Sequence, residues 1–195
     1  MSDDLPDNAF TPASGKLGQL IFENPGADIE PRLEFFIEIA FQPFELDDEE
    51  VSPILRLNGI VVEEAKKWSD LAGKTWQFAY HPKPGSIDAG IHLFYVQNPA
   101  DVTELRFGDI TDEVKLPVSF DTEVDFEIEA DSELEQVPMS IRCLLEISPL
   151  KVATSLEKRF KGDEGEITNA VADLVDLSAY QELQKVPGGY EFPVK

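Results

Sequence analysis

The chain is poor in the residues from which covalent frameworks and most active sites are built. Cys143 is its only cysteine, so no intrachain disulfide can form. Lying among Met139, Ile141, Leu144, Leu145 and Ile147, it reads as a small core thiol rather than a nucleophile. Histidine is nearly absent too: His81 and His92 are the only two. With Cys143 they make the one available Cys/His set for zinc or nucleophilic chemistry, and its spacing matches no metal motif.

Positive charge is scarce. Lys and Arg number 16 against 39 Asp and Glu, for a formal net charge of -23. A surface with no basic patch cannot replace the counterions on a phosphate backbone, which excludes nucleic acid as a direct ligand. An anionic membrane surface is disfavoured for the same reason. The apolar stretch Leu33–Phe41 is broken by Glu34 and Glu38, and nowhere is there the run of about 18 apolar residues that a membrane-spanning helix needs. Met1–Asn8 has neither a basic start nor an apolar stretch, so no secretory signal is expected and the chain reads as cytoplasmic. Also missing are the G-x-x-x-x-G-K-[ST] phosphate loop, a G-x-G-x-x-G after a strand, G-x-S-x-G and H-E-x-x-H. No cofactor and no enzymatic activity are expected.

Acid is what the chain has in excess, and it is patterned. Residues 121–135 place an acid at every second position: Asp121, Glu123, Asp125, Glu127, Glu129, Asp131, Glu133 and Glu135. Between them stand Thr122, Val124, Phe126, Ile128, Ala130, Ser132 and Leu134. Successive side chains of a strand point to opposite faces, so this period of two predicts one carboxylate face and one mostly apolar face. Neighbouring acids on that face lie about 6.8 Å apart and repel by only ~0.6 kcal/mol in water. The apolar series begins at Leu116, and a straight strand from there would be far longer than usual. It is expected to end near Ala130, leaving Asp121, Glu123, Asp125, Glu127 and Glu129 as the true ladder. Solubility and protection of a sheet edge account for such a row without any partner. A halophile's surface is a poorer explanation, because the bases are mostly Lys, eleven against five Arg.

The rest of the chain reads as strands and turns. Residues 1–16 are polar, with Pro6, Pro12 and Gly15, and are expected to be a flexible arm before a single β-rich domain over 17–195. Leu17–Phe22, Leu33–Phe41, Lys74–Tyr80, Ile87–Gln97, Val102–Ile110 and Val137–Ser148 read as strands. Asn24-Pro25-Gly26, Asn58-Gly59, Asn98-Pro99 and Pro187-Gly188-Gly189 read as turns. Glu63–Ala72 predicts a short internal helix stopped by Gly73. Ile167, Ala170, Val171, Leu174 and Val175 recur as one apolar helical face, giving a helical C-terminal portion over about 150–186. The fold class is therefore mainly β with a minor helical part: an antiparallel β-sandwich or a strongly curved sheet, with one short internal helix and a C-terminal amphipathic helix.

Function is expected to follow the acidic face. The leading expectation is a non-enzymatic binding protein that docks a basic partner protein, in the manner of an inhibitor or immunity protein. One alternative is a DNA mimic, whose carboxylate ladder stands in for phosphates on a nucleic-acid-binding protein. A second is a carbohydrate- or small-molecule-processing enzyme with carboxylates near Trp68 or Trp76. The loop acids Asp47–Glu50 and Asp163–Glu166 offer hard oxygen donors for calcium but lack the EF-hand pattern, so no metal site is assigned.

Overall fold

Alternation of apolar and polar residues becomes two-faced strands along most of the chain. The computed structural model describes Leu5 and residues 9–46, 49–93, 96–126 and 136–195. Its strands are β1 (Pro12–Asn24), β2 (Ile29–Phe41), β3 (Phe44–Leu46), β4 (Glu49–Val51), β5 (Ile54–Ile60), β6 (Thr75–Gln77), β7 (Asp88–Leu93), β8 (Val96–Asp101), β9 (Glu104–Phe107), β10 (Lys115–Asp125) and β11 (Gln136–Val152). Two helices, α1 (Thr154–Arg159) and α2 (Glu164–Ala172), follow β11. The hairpin β12 (Gln184–Val186) and β13 (Gly189–Phe192) comes last.

The expected strongly curved, mostly antiparallel sheet is present, and it curls until it meets itself. Pairing runs β12-β13-β11-β1-β2-β5-β7-β8-β10-β9-β6, and β10 also pairs along its whole length with β11. The strands β11-β1-β2-β5-β7-β8-β10 therefore form a closed ring. β3 and β4 make a separate hairpin. One pair departs from the antiparallel expectation: β1 and β11 run parallel from Gly15 beside Leu145 to Ile21 beside Val152.

Inside the ring the core is filled by Leu17, Ile21, Phe35, Ile37, Ile39, Leu55, Leu57, Ile91, Leu116, Phe120 and Leu145, among others. Phe10 packs there against Phe41, Phe44 and Phe126, with ring centroids 5.5, 5.7 and 6.0 Å away. Phe10 is thus core, and β1 starts at Pro12, so both lie within the stretch read as an arm. Buried polar groups are mostly paired. Gln19 donates to the Ser148 carbonyl at 2.8 Å and accepts from the Tyr180 hydroxyl. Thr122 donates to the Asp101 carbonyl at 2.8 Å.

Several local readings change for identifiable reasons. Asn58-Gly59 is not a hairpin turn but lies inside β5. Opposite it, Phe36 alone faces both residues, because the β2–β5 register steps from Phe35/Ile60 to Ile37/Leu57. Gly59 takes a φ of 67° there, as the extra residue of a bulge often does. Asn98-Pro99 likewise lies within β8, whose strand pairs back on β7 with Leu93 beside Val96. Pro149 interrupts β11 without ending it: the register with β1 slips between Leu17 and Gln19, giving the proline a bulge to occupy. The internal helix shrinks to one 3-10 turn, Trp68–Leu71. Ala65, Trp68 and Leu71 are buried at a spacing of three, which suits that tighter turn.

Helices form near their expected places. In α2, Asp163 caps the N-terminus by accepting from the Glu166 amide at 3.0 Å, and Ile167 and Val171 are buried. Among the described residues no helix is long and apolar enough to cross a membrane.

Candidate acidic docking face

β10 presents its two faces as its sequence demands. Leu116, Val118, Phe120, Thr122 and Val124 are buried, while Asp121 and Glu123 are exposed and Asp125 is half-buried. Glu127 and Glu129 lie outside the described residues, as do Asp131, Glu133 and Glu135.

Neighbouring strands decide what each acid meets. On the β11 side, Asp121, Glu123 and Asp125 stand beside Ser140, Pro138 and Gln136. On the other edge, β10 is flanked first by β9, with Ser119 beside Arg106, and then by β8, with Glu123 beside Asp101. Asp121 is therefore engaged within the fold. It accepts from the Ser140 hydroxyl at 2.7 Å and from Arg106 at 3.2 Å. The Ser140 hydrogen bond, followed by the Arg106 guanidinium, holds its carboxyl below the usual range. Arg106 also donates to Glu104, which accepts from Gln77 as well.

Glu123 has a different environment. It is exposed and makes no ion pair among the described residues, and its direct cross-strand neighbour is another acid, Asp101. The Asp101 carboxylate beside the hydroxyl of Tyr80, itself 57% exposed, raises that phenol above its ordinary value, with a smaller push from Glu123. Like charges directly opposite on a sheet are destabilising, by a few tenths of a kcal/mol in water-exposed positions. The pair Asp101/Glu123 thus detracts from folding.

Beside the acids is a patch of opposite character. A hollow of about 450 Å³ is lined by Arg106, Pro117, Ser119, Arg142 and Leu144. Leu144 is 52% exposed, on the outer face of β11 beside Pro117 of β10. Arg142 forms no close ion pair among the described residues, but its charge adds to that of Arg106 in holding the Asp121 carboxyl low. The outer face of β8–β10–β11 therefore carries an acidic strip next to an exposed apolar residue and a second guanidinium.

The other sequence candidates separate. Trp68 is in the core, and Trp76 is half-buried with the Lys74 ammonium 5.3 Å from its ring centre. Neither offers an open platform beside a carboxylate pair. Tyr80, at strand spacing from Trp76 and Phe78, is exposed. His81 lies in a turn, His92 on β7 and half-buried Cys143 on β11. Among the described residues no three His, Cys, Asp or Glu side chains gather in a way that could hold a metal ion. Burial pushes the Cys143 thiol up, away from a reactive thiolate. Of the loop acids, Asp47 and Asp48 lie outside the described residues, and Asp163 serves as the α2 cap.

Asp101, Arg142 and Leu144 were not legible as site residues. Nothing local marks them; they join Glu123 through strand register alone. No protein-family model, curated protein or solved structure matches this chain.

Proposed function

We propose that the chain is a binding protein that docks a basic partner protein on the outer face of β8, β10 and β11. The observation that carries this reading is the cross-strand pair Asp101/Glu123. Two carboxylates placed side by side without a cation cost folding energy, and a Lys or Arg from a partner would relieve both at once. The net charge of -23 supports the same reading, since it steers basic proteins towards the surface and speeds their encounter. Charge alone rarely gives tight binding, and the neighbouring Leu144 and Arg142 supply the kind of anchor that does.

Capture experiments with wild-type protein and an Asp101→Lys/Glu123→Lys variant test this reading. A partner retained by the wild type and lost by the equally folded variant, with an association rate that falls as salt rises, is the expected result. Equal retention by both proteins, or binding indifferent to salt, counts against it.

A further inference from the structure

A cationic row crosses the outer face of β9, β10 and β11. Strand register aligns Arg106, Ser119 and Arg142, so Ser119 has an arginine beside it on each neighbouring strand. Adjacent strands lie about 4.8 Å apart, which puts the Cα atoms of the two arginines about 10 Å from each other with the hydroxyl between. Two residues along β10 an apolar row follows: Pro117 stands beside Leu144, and its carbonyl accepts from the Gly108 amide at 2.9 Å. The hollow of about 450 Å³ is bounded by both rows. Its lining carries two arginines and no carboxylate, in a chain with 39 acids. Elsewhere the acids intrude: Glu49 and Glu50 line the hollow beside β4, and Glu38 and Asp88 line the one on β2, β5 and β7.

Hydrogen bonding within the row is incomplete. Arg106 is fixed in place, giving Nε to Glu104 and Nη2 to Asp121 at 3.2 Å. Arg142 and Ser119 make no side-chain hydrogen bond among the described residues. Arg142 therefore offers a planar fork that matches a carboxylate through two parallel N–H bonds, and Ser119 offers a further donor. Glu104 and Asp121 offset Arg106, so the row can balance one negative charge rather than two. The net charge of -23 penalises every further charge on a ligand. Phosphate, with more than one charge at neutral pH, is disfavoured on that count. A carboxylate lacking an apolar part would leave Pro117 and the 52% exposed Leu144 in water.

We infer that this hollow binds a monocarboxylate with an apolar body, the carboxylate on the Arg142 fork and the Ser119 hydroxyl, the body over Pro117 and Leu144. A free organic acid and the C-terminal residue of a peptide share that chemistry. The inference goes beyond the docking of a basic protein and does not rest on it, because small acids test it with no protein partner present.

The test is an NMR titration of the full chain at constant ionic strength, up to about 50 mM of each probe, a range suited to the millimolar affinity of small ligands. The probes are 4-methylpentanoate, phenylacetate, acetate, inorganic phosphate and the neutral 4-methylpentanamide. Saturable shifts at the Arg142 Nε–H and at the Ser119 and Leu144 backbone amides are expected with at least one of the two apolar acids. Acetate, phosphate and the neutral amide should bind at least tenfold more weakly. Arg142→Gln, at an exposed position, should weaken binding of the apolar acids about tenfold while leaving the thermal midpoint in place, and Leu144→Ser should weaken it as well. Gly-Gly-Leu with a free and with an amidated C-terminus distinguishes the sources. Binding of the free form alone extends the site to peptide C-termini, and binding of neither restricts it to free acids. Absence of saturable shifts with both apolar acids overturns the inference. So does phosphate or the neutral amide binding as tightly as they do, or wild-type affinity in Arg142→Gln.

Discussion

Arg159 of α1 donates to Glu23 at the end of β1, a carboxylate whose side chain is only 1% exposed. The other carboxylate oxygen, Oε1, is buried with no partner among the described residues. The pair ties the helical portion to the barrel.

Removing the exposed half of that pair should therefore do more damage than neutralising the buried half. Arg159→Ala strands a buried charge and is expected to cost about 3 kcal/mol. Glu23→Gln should cost less, and adding it to Arg159→Ala should recover part of the loss. Urea unfolding of the two single variants and the double variant measures the coupling.

Tyr180 and Gln19 give a prediction at high pH. Burial is the main cause that raises the Tyr180 phenol well above its ordinary value. In the folded state the proton is held more tightly than in the unfolded chain. This contribution to stability is complete below the unfolded value of about 10 and falls as pH rises above it. Denaturation midpoints between neutral pH and strong alkali should show that fall, and Tyr180→Phe should flatten it. The same variant leaves the Gln19 acceptor without its hydroxyl partner and is expected to cost about 1–3 kcal/mol at neutral pH.

Asp176 gives the opposite sign. Its carboxylate accepts from Lys67 at 2.5 Å and from the Ser178 amide at 2.9 Å. The Lys67 hydrogen bond comes first among the causes that hold it well below the usual carboxylate range. Its contribution is present above the unfolded value of about 3.9 and disappears as pH falls through the lower folded value. Asp176→Asn should move the onset of acid unfolding to higher pH, followed by circular dichroism. Because the contact joins the segment before Trp68 to the one before Tyr180, amide exchange should rise in both.

Acids on β10 should not behave alike when neutralised. Glu123→Gln relieves repulsion with Asp101 and should leave stability unchanged or raise it by about 0.5 kcal/mol. Asp121→Asn weakens the bonds to Ser140 and Arg106 and should lower it slightly. Towards a basic partner, Glu123→Gln should slow association at low salt and have little effect at high salt. Stopped-flow rates and thermal midpoints for the two variants distinguish these outcomes.

Much of this protein is determined by residues acting locally. The even-numbered series Leu116–Val124 and the odd acids between them specify a two-faced strand in any β-fold, because side chains must alternate. Ile167 and Val171 specify a helix that buries one stripe, and the low content of Cys, His and basic residues limits the available chemistry. Register and closure belong to the tertiary structure. Whether Asn58-Gly59 turns a hairpin or bulges a strand depends on Phe36, some twenty residues earlier. Whether an acid meets Arg106, Ser140 or another acid depends on which strand lies beside it, and Glu123 meets Asp101 only because β8 reaches β10 there. Such pairings arise from burying the opposite, apolar faces of the strands in one closed core, a free energy summed over the whole barrel that no single segment carries.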